Sequence, residues 1–267
     1  MKKIYLNLKR FDIPRTYGGI NEFNIETYSE IITKGIEKMN FDLPITIYFQ
    51  EAHLMNALKV NKKVNIGCQS VHYLDSEVNG SFGAFTTFRT ANSMKALGVK
   101  DTIIGHCEER NDLNYLTNNG TTINVNKVLN EKIKKAINAN MNVLYCIGER
   151  DFEQNKKYDV LKEQLLVGLD GVDLSKITIA YEPVWAIGPG KIPPDRDYIL
   201  DIVKFIKSIF AVPVVYGGGL KKDNAKMLAS IEELDGGLIA LTRFGKDFGF
   251  YLDDFEEIVK TYMEGLK

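Results

Sequence analysis

The chain has 267 residues, a net charge of −1, 45% hydrophobic and 26% charged residues, and no run nearing the ~20 apolar residues that span a bilayer. This is the balance of an ordinary globular protein large enough to bury its own core, and it gives no reason to expect nucleic-acid or membrane-surface binding. Cys68, Cys107 and Cys146 fall at no metal-ligand spacing, and the opening MKKIYLNLKRFD has an interrupted apolar stretch and no cleavage site, so the reading is a cytoplasmic protein with free thiols.

Short β-rich runs recur from end to end: 2–8 (KKIYLNL), 45–49 (ITIYF), 64–68 (VNIGC), 101–105 (DTIIG), 142–147 (NVLYCI), 177–182 (ITIAYE), 212–217 (VPVVYG) and 236–241 (GGLIAL). They are continuous rather than alternating, as strands covered on both faces are. Helical spacing separates them. Tyr28, Ile31, Ile32, Gly35, Ile36 and Met39 form one stripe, and Val125, Val128, Leu129, Ile133, Ala136 and Ile137 another. Pro193-Pro194-Asp195 is a helix start ahead of Tyr198, Ile199, Ile202, Val203, Ile206 and Ile209, and a last helix covers about 252–265. Eight strand-then-helix units with no linker predict one α/β domain over 1–267, a closed (β/α)8 barrel with eight helices.

In such a barrel the chemistry sits where strands end. Strand one ends at Asn7 and Lys9, strand four at GHCEER with His106, Glu108 and Arg110, and strand five at CIGER with Cys146 and Glu149. Strand six delivers Glu182 into the apolar, glycine-rich PVWAIGPGK, and strand seven ends in YGGG (216–219). This set suits proton abstraction beside a carbonyl. Glu182 is a candidate base, its pKa raised when a lid expels water. His106 is a candidate electrophile, and Lys9 and Asn7 could hold an anionic, oxygen-rich substrate. Glycine N–H groups of loops six and seven can approach a phosphate closely. Each residue also has a plainer reading: a solvated Glu182, a hydrogen-bonded structural His106, a tight turn at YGGG, a packed Trp185, and an ion pair between Glu108 and Arg110. His53 and His72 have no partners at metal spacing and receive no role.

The segment YEPVWAIGPGK closely resembles the lid of the triosephosphate isomerase family, which typically reads YEPVWAIGTGK. GHCEER resembles the family's GHSERR, CIGER its CIGE, YGGG its YGGS, GAFT (83–86) its GAFTGE, and Asn7 and Lys9 its N-x-K. The resemblance implies a cofactor-free isomerase with no metal, interconverting dihydroxyacetone phosphate and glyceraldehyde 3-phosphate in glycolysis and gluconeogenesis. It makes Glu182, His106 and Lys9 catalytic and Asn7, Lys9, Gly188, Gly219 and Leu241 substrate-binding. It also makes Pro183-Val184-Trp185 a hinge and Ala186 to Gly190 a moving tip, with Tyr216 holding the lid closed. Thr86 lies in the loop the family inserts into a partner subunit, which implies a homodimer.

The chain departs from the pattern at four places. Ala240-Leu241 replace paired phosphate-binding glycines, Gly219 replaces a serine, the segment 242–251 (TRFGKDFGFY) is long, and so are the loops 10–21 and 71–82, with Phe88 in place of a dimer-loop Glu. Arg243 is either a replacement phosphate grip or a surface ion pair. The proton-transfer pair is intact, which leaves two alternatives open: an isomerase of another small sugar phosphate such as a tetrulose phosphate, and a silent barrel that binds a phosphorylated metabolite.

Overall fold

The computed structural model describes all residues except Thr121, Pro189, Lys246 and Lys267. Eight parallel strands close on themselves in sequence order: β1 Lys3–Asn7, β2 Ile45–Phe49, β3 Asn65–Gln69, β4 Asp101–Ile104, β5 Asn142–Ile147, β6 Ile177–Tyr181, β7 Val214–Tyr216 and β8 Gly236–Ile239. The seam pairs β1 with β8, Lys3 opposite Gly236 and Leu6 opposite Ile239. Around them run α1 Tyr28–Met39, α2 Glu51–Val60, α3 Ala91–Leu97, α4 Cys107–Asn118, α5 Val125–Asn138, α6 Lys157–Gly168, α7 Arg196–Ile209, α8 Lys222–Ala229 and α9 Leu252–Glu264.

The expected eight helices are nine among the described residues, because the fourth unit carries both α4 and α5. Five strands also end earlier than expected: β1, β4, β6, β7 and β8. β8 stops at Ile239, so Ala240 and Leu241 stand on the loop, and β6 stops at Tyr181, so Glu182 is the first residue beyond it.

The continuous apolar strands serve two cores. Tyr5, Tyr48, Ile103, Leu144, Cys146, Ala180, Val215 and Leu238 fill the barrel interior, with the Tyr5 and Tyr48 rings stacked at 6.2 Å. The alternate residues face outward against helix stripes, such as Ile199, Ile202, Val203 and Ile206 of α7, all fully buried. Each such side chain contributes about 1.5–3 kcal/mol when removed from water. Asp195 caps α7, accepting the Tyr198 N–H at 2.9 Å, as its place after two prolines predicts. Ile31, expected on the inner stripe of α1, is 37% exposed, and Ser29 and Thr33 are buried instead.

The two long segments beside β1 and β8 account for each other. The β1 loop makes a short 3-10 turn at Arg15–Tyr17, and Arg15 donates to Phe248 O at 3.1 Å and to Tyr251 Oη at 3.2 Å. Arg243 and Gly249 bridge the segment after β8 into a narrow loop, within which Lys246 lies outside the described residues.

Candidate active site

Glu182 follows β6 and is 2% exposed, which removes the reading of a solvated surface carboxylate. Its backbone N–H donates to Ile147 O at 2.8 Å, fastening it to the end of β5. That contact depends on Gly148, where an added Cβ would stand 1.7 Å from the carbonyl oxygen of Glu182. Gln164 of α6 holds Gly148 from outside, accepting its N–H at 2.8 Å and donating to its carbonyl at 2.9 Å.

The Glu182 carboxylate has two different environments. Oε2 accepts the Cys107 N–H at 2.9 Å, while Oε1 lies 3.4 Å from His106 Nε2 and has no hydrogen-bond partner among the described residues. Burial pushes its pKa above the ordinary value, and the opposing pull of His106, the Cys107 N–H and Lys9 does not cancel it. His106 is the N-cap of α4, and its Nδ1 accepts the Glu108 N–H at 3.4 Å. With Nδ1 accepting, the ring presents Nε2–H to the site.

Lys9 adopts a left-handed backbone, φ 41°, an uncommon conformation for a residue with a side chain. Asn7 Oδ1 accepts the Lys9 N–H at 3.0 Å, and Gln69 Nε2 donates to Lys9 O at 2.9 Å and to Asn7 Oδ1 at 3.2 Å. Such strain persists only where neighbours hold it, and these two amides do so. The Lys9 ammonium pairs with Glu108 at 2.7 Å. Gln69 escaped the sequence reading because strand three was drawn to end at Cys68; the strand-end rule would have found it one residue later.

Glu108 therefore pairs with Lys9, and the expected pair with Arg110 does not form. Residues two apart on a helix point to different faces. Arg110 is buried and donates to Gly105 O, Cys146 O and Tyr145 Oη at 2.9–3.2 Å and to Asn126 Oδ1 at 2.9 Å, tying the ends of β4 and β5 together. Arg243 proves to be the ion pair of its two readings. It grips Asp254 bidentately at 2.8 and 2.9 Å, its guanidinium lying over the Tyr251 ring at 3.9 Å. His53 pairs with buried Asp12 at 3.3 Å, and His72 stacks on Phe88 at 4.0 Å.

The segment expected to be the lid hinge is organised by Glu149, which is fully buried. Its Oε1 accepts from Trp185 Nε1 at 2.7 Å, Tyr181 Oη at 2.9 Å and Tyr198 Oη at 3.2 Å. Trp185 is thus a hydrogen-bonded residue rather than filler. Tyr216 is fully buried with no partner for its hydroxyl among the described residues, and that hydroxyl would stand 2.3 Å from a Cβ on Gly218. Of the expected moving tip, Pro189 lies outside the described residues.

A cavity of about 220 Å³ opens between these groups, lined in part by Asn7, Lys9, His106, Gly188, Gly219 and Leu241. Six of the seven expected site residues share this one space, and Glu182 reaches it through His106. Lys221, which the sequence reading passed over, also lines it. His106, Cys107 and Glu182 offer three potential metal-ligand atoms within 4.8 Å of one another, and burial pushes the Cys107 thiol up to about 12.

The sequence profile described as triosephosphate isomerase matches residues 19–261. The chain belongs to the triosephosphate isomerase family. It is 31% identical to the triosephosphate isomerase of Mycoplasmopsis pulmonis, over 97% of this chain and all of that one. It is 34% identical to that of Alkaliphilus metalliredigens, over 66% of this chain and 71% of the relative. Its fold superposes on the crystal structure of triosephosphate isomerase from Bartonella henselae with a TM-score of 0.73, at 25% identity, covering 98% of this chain and all of that one. Among the described residues, no helix is long and apolar enough to cross a membrane.

Proposed function

We propose that the protein interconverts dihydroxyacetone phosphate and D-glyceraldehyde 3-phosphate, as the names of its relatives indicate, by proton transfer through an enediolate. The observation that carries the mechanism is the approach of Glu182 Oε1 to His106 Nε2, 3.4 Å, at the wall of a glycine-lined cavity. Glu182 takes the proton from the carbon beside the carbonyl and returns it to the neighbouring carbon, while the hydroxyl proton passes from one substrate oxygen to the other beside His106, so no proton is gained or lost overall. Its raised pKa makes the carboxylate a stronger base than a solvated glutamate. His106 Nε2–H donates to the oxygen on which charge builds, and the Lys9 ammonium adds positive charge at the same end of the cavity.

Asn7, held by Gln69, orients the substrate, and Gly188 and Gly219 bring backbone N–H groups to its phosphate. Lid closure over the enediolate excludes water, and the family is itself a standard example of this arrangement. The buried Tyr216 hydroxyl, without a partner among the described residues, fits the role of a lid latch, because closure is what would bring it a partner. A substrate panel tests the reading. Turnover of the two triose phosphates supports it, and a preference for a four-carbon phosphosugar would replace it with the alternative that Leu241 motivates.

We further propose a cytoplasmic protein of one domain that pairs with a second copy. Thr86 is exposed, and around it Val78 is 94%, Phe82 91% and Phe88 54% exposed. Apolar side chains this bare on one loop mark an interaction surface. A solution mass twice the 30.2 kDa of the chain supports pairing, and a mass of one chain refutes it.

A further inference from the structure

The family's phosphate grip is altered here at Gly219, Ala240 and Leu241, and Arg243, the obvious substitute, is committed to Asp254. The cavity holds another cation. Lys221 follows β7 by five residues and precedes α8, with its N–H donating to Asn224 Oδ1 at 2.8 Å. Its side chain folds back over Gly219, where Cε lies 3.6 Å from the place a Cβ would occupy. Its ammonium rests 4.1 Å from the centroid of the Phe244 ring.

Two ammonium groups line the cavity, and they differ. Lys9 is neutralised by Glu108 at 2.7 Å, whereas Lys221 makes no ion pair among the described residues. Burial lowers the Lys221 pKa, with the charge of Asp223 opposing this. An ammonium half removed from water among Leu238, Ala240, Leu241 and Phe244 gains most from an incoming anion, because charges attract more strongly where water is scarce.

Gly219, at φ +94°, takes a backbone that a side-chain-bearing residue adopts only under strain. The same position has lost the family hydroxyl, and the Lys221 stem covers it. The long segment after β8 also acquires a purpose, since it carries Phe244 to the rim as the platform for Lys221.

We propose that Lys221 is the phosphate-binding cation of this site, held over the Gly219 turn by the Phe244 ring in place of the missing serine hydroxyl and paired glycines. The assignment rests on the isomerase reading for the identity of the ligand but has its own test. Lysine binds phosphate as a point charge, so the grip tolerates the bulk of Leu241 better than a set of aimed N–H donors would.

The experiment is calorimetric titration of the intact protein with inorganic phosphate, for the wild type and for Lys221→Met, Lys221→Arg and Lys222→Met. Lys222 is the neighbouring lysine, which points away to Glu257. The expected result is a dissociation constant roughly 10- to 100-fold higher in Lys221→Met, the usual worth of a charged hydrogen bond. Lys221→Arg restores most of the affinity, and Lys222→Met leaves it unchanged. A wild type that does not bind phosphate, an unaltered constant in Lys221→Met, or an equal loss in Lys222→Met would each overturn the assignment. Phosphate binding that depends on Lys221 in a protein with no isomerase activity would instead sink the proposed function and leave the assignment standing.

Discussion

Glu182 and His106 face each other at 3.4 Å, yet only one oxygen of the carboxylate is committed, to the Cys107 N–H. Oε1 is buried and lacks a hydrogen bond among the described residues. A buried acceptor left unpaired is costly in a folded protein, and here it is the lone pair that the proposed proton transfer needs.

The raised Glu182 pKa has a kinetic consequence and a stability consequence. The base must be ionised to act, so kcat/KM should fall as pH drops through a value above the ordinary 4.5 of a glutamate. Because the folded pKa exceeds the unfolded one, the folded state binds this proton more tightly. Its stabilising effect is full below the unfolded pKa and is lost as pH rises through the folded value. Glu182→Gln should therefore raise Tm at pH 7, with the gain disappearing as pH falls below the ordinary 4.5 of a glutamate. Melting curves at both pH values check this.

Gly148→Ala should damage stability and activity together. The new Cβ meets the Glu182 carbonyl at 1.7 Å, so the β5 end, the start of the lid, or both must move. Overpacking of this kind costs about 1–3 kcal/mol. A displacement of the base by about 1 Å costs on the order of 100-fold in rate. Denaturant unfolding and a rate measurement on the same preparation test the coupling, and wild-type kinetics in the variant would contradict it.

Trp185 is the only tryptophan in the chain, which makes the proposed lid hinge visible by fluorescence. Replacing Glu149 by Gln keeps an oxygen for the three donors that converge on Oε1 but removes the negative charge that strengthens each of those bonds. The expected cost is about 1–3 kcal/mol of stability, with a red-shifted emission as the indole loses its charged acceptor. Unchanged emission would remove Glu149 from the hinge.

Arg243→Ala should leave KM for a triose phosphate within roughly twofold of wild type, as a surface ion pair predicts. A large rise in KM would return Arg243 to the phosphate site.

The barrel was legible because its strands are covered on both faces and so read as eight unbroken apolar runs. The site was legible because the strand-end rule gathers Asn7, Lys9, His106 and Glu182 on one rim before any contact is known. What could not be read depends on side-chain direction. Glu108 and Arg110 look like partners in one dimension but sit on different faces of α4. Arg243 finds Asp254 only because the segment between them loops back. Lys221 looks like one more solvated lysine until Gly219 and Phe244 are seen on either side of it. Of the two helices of the fourth unit, α5 shows its stripe and α4 does not: NDLNYLTN within α4 has almost no apolar stripe, and Arg110 is its one buried residue.

The most direct measurement is a coupled isomerisation assay on glyceraldehyde 3-phosphate and dihydroxyacetone phosphate, with Glu182→Gln beside the wild type. The account predicts turnover in both directions for the wild type, reduced about 100- to 10,000-fold by the substitution. A variant that isomerises at the wild-type rate, or a wild type inert toward both triose phosphates, would contradict it.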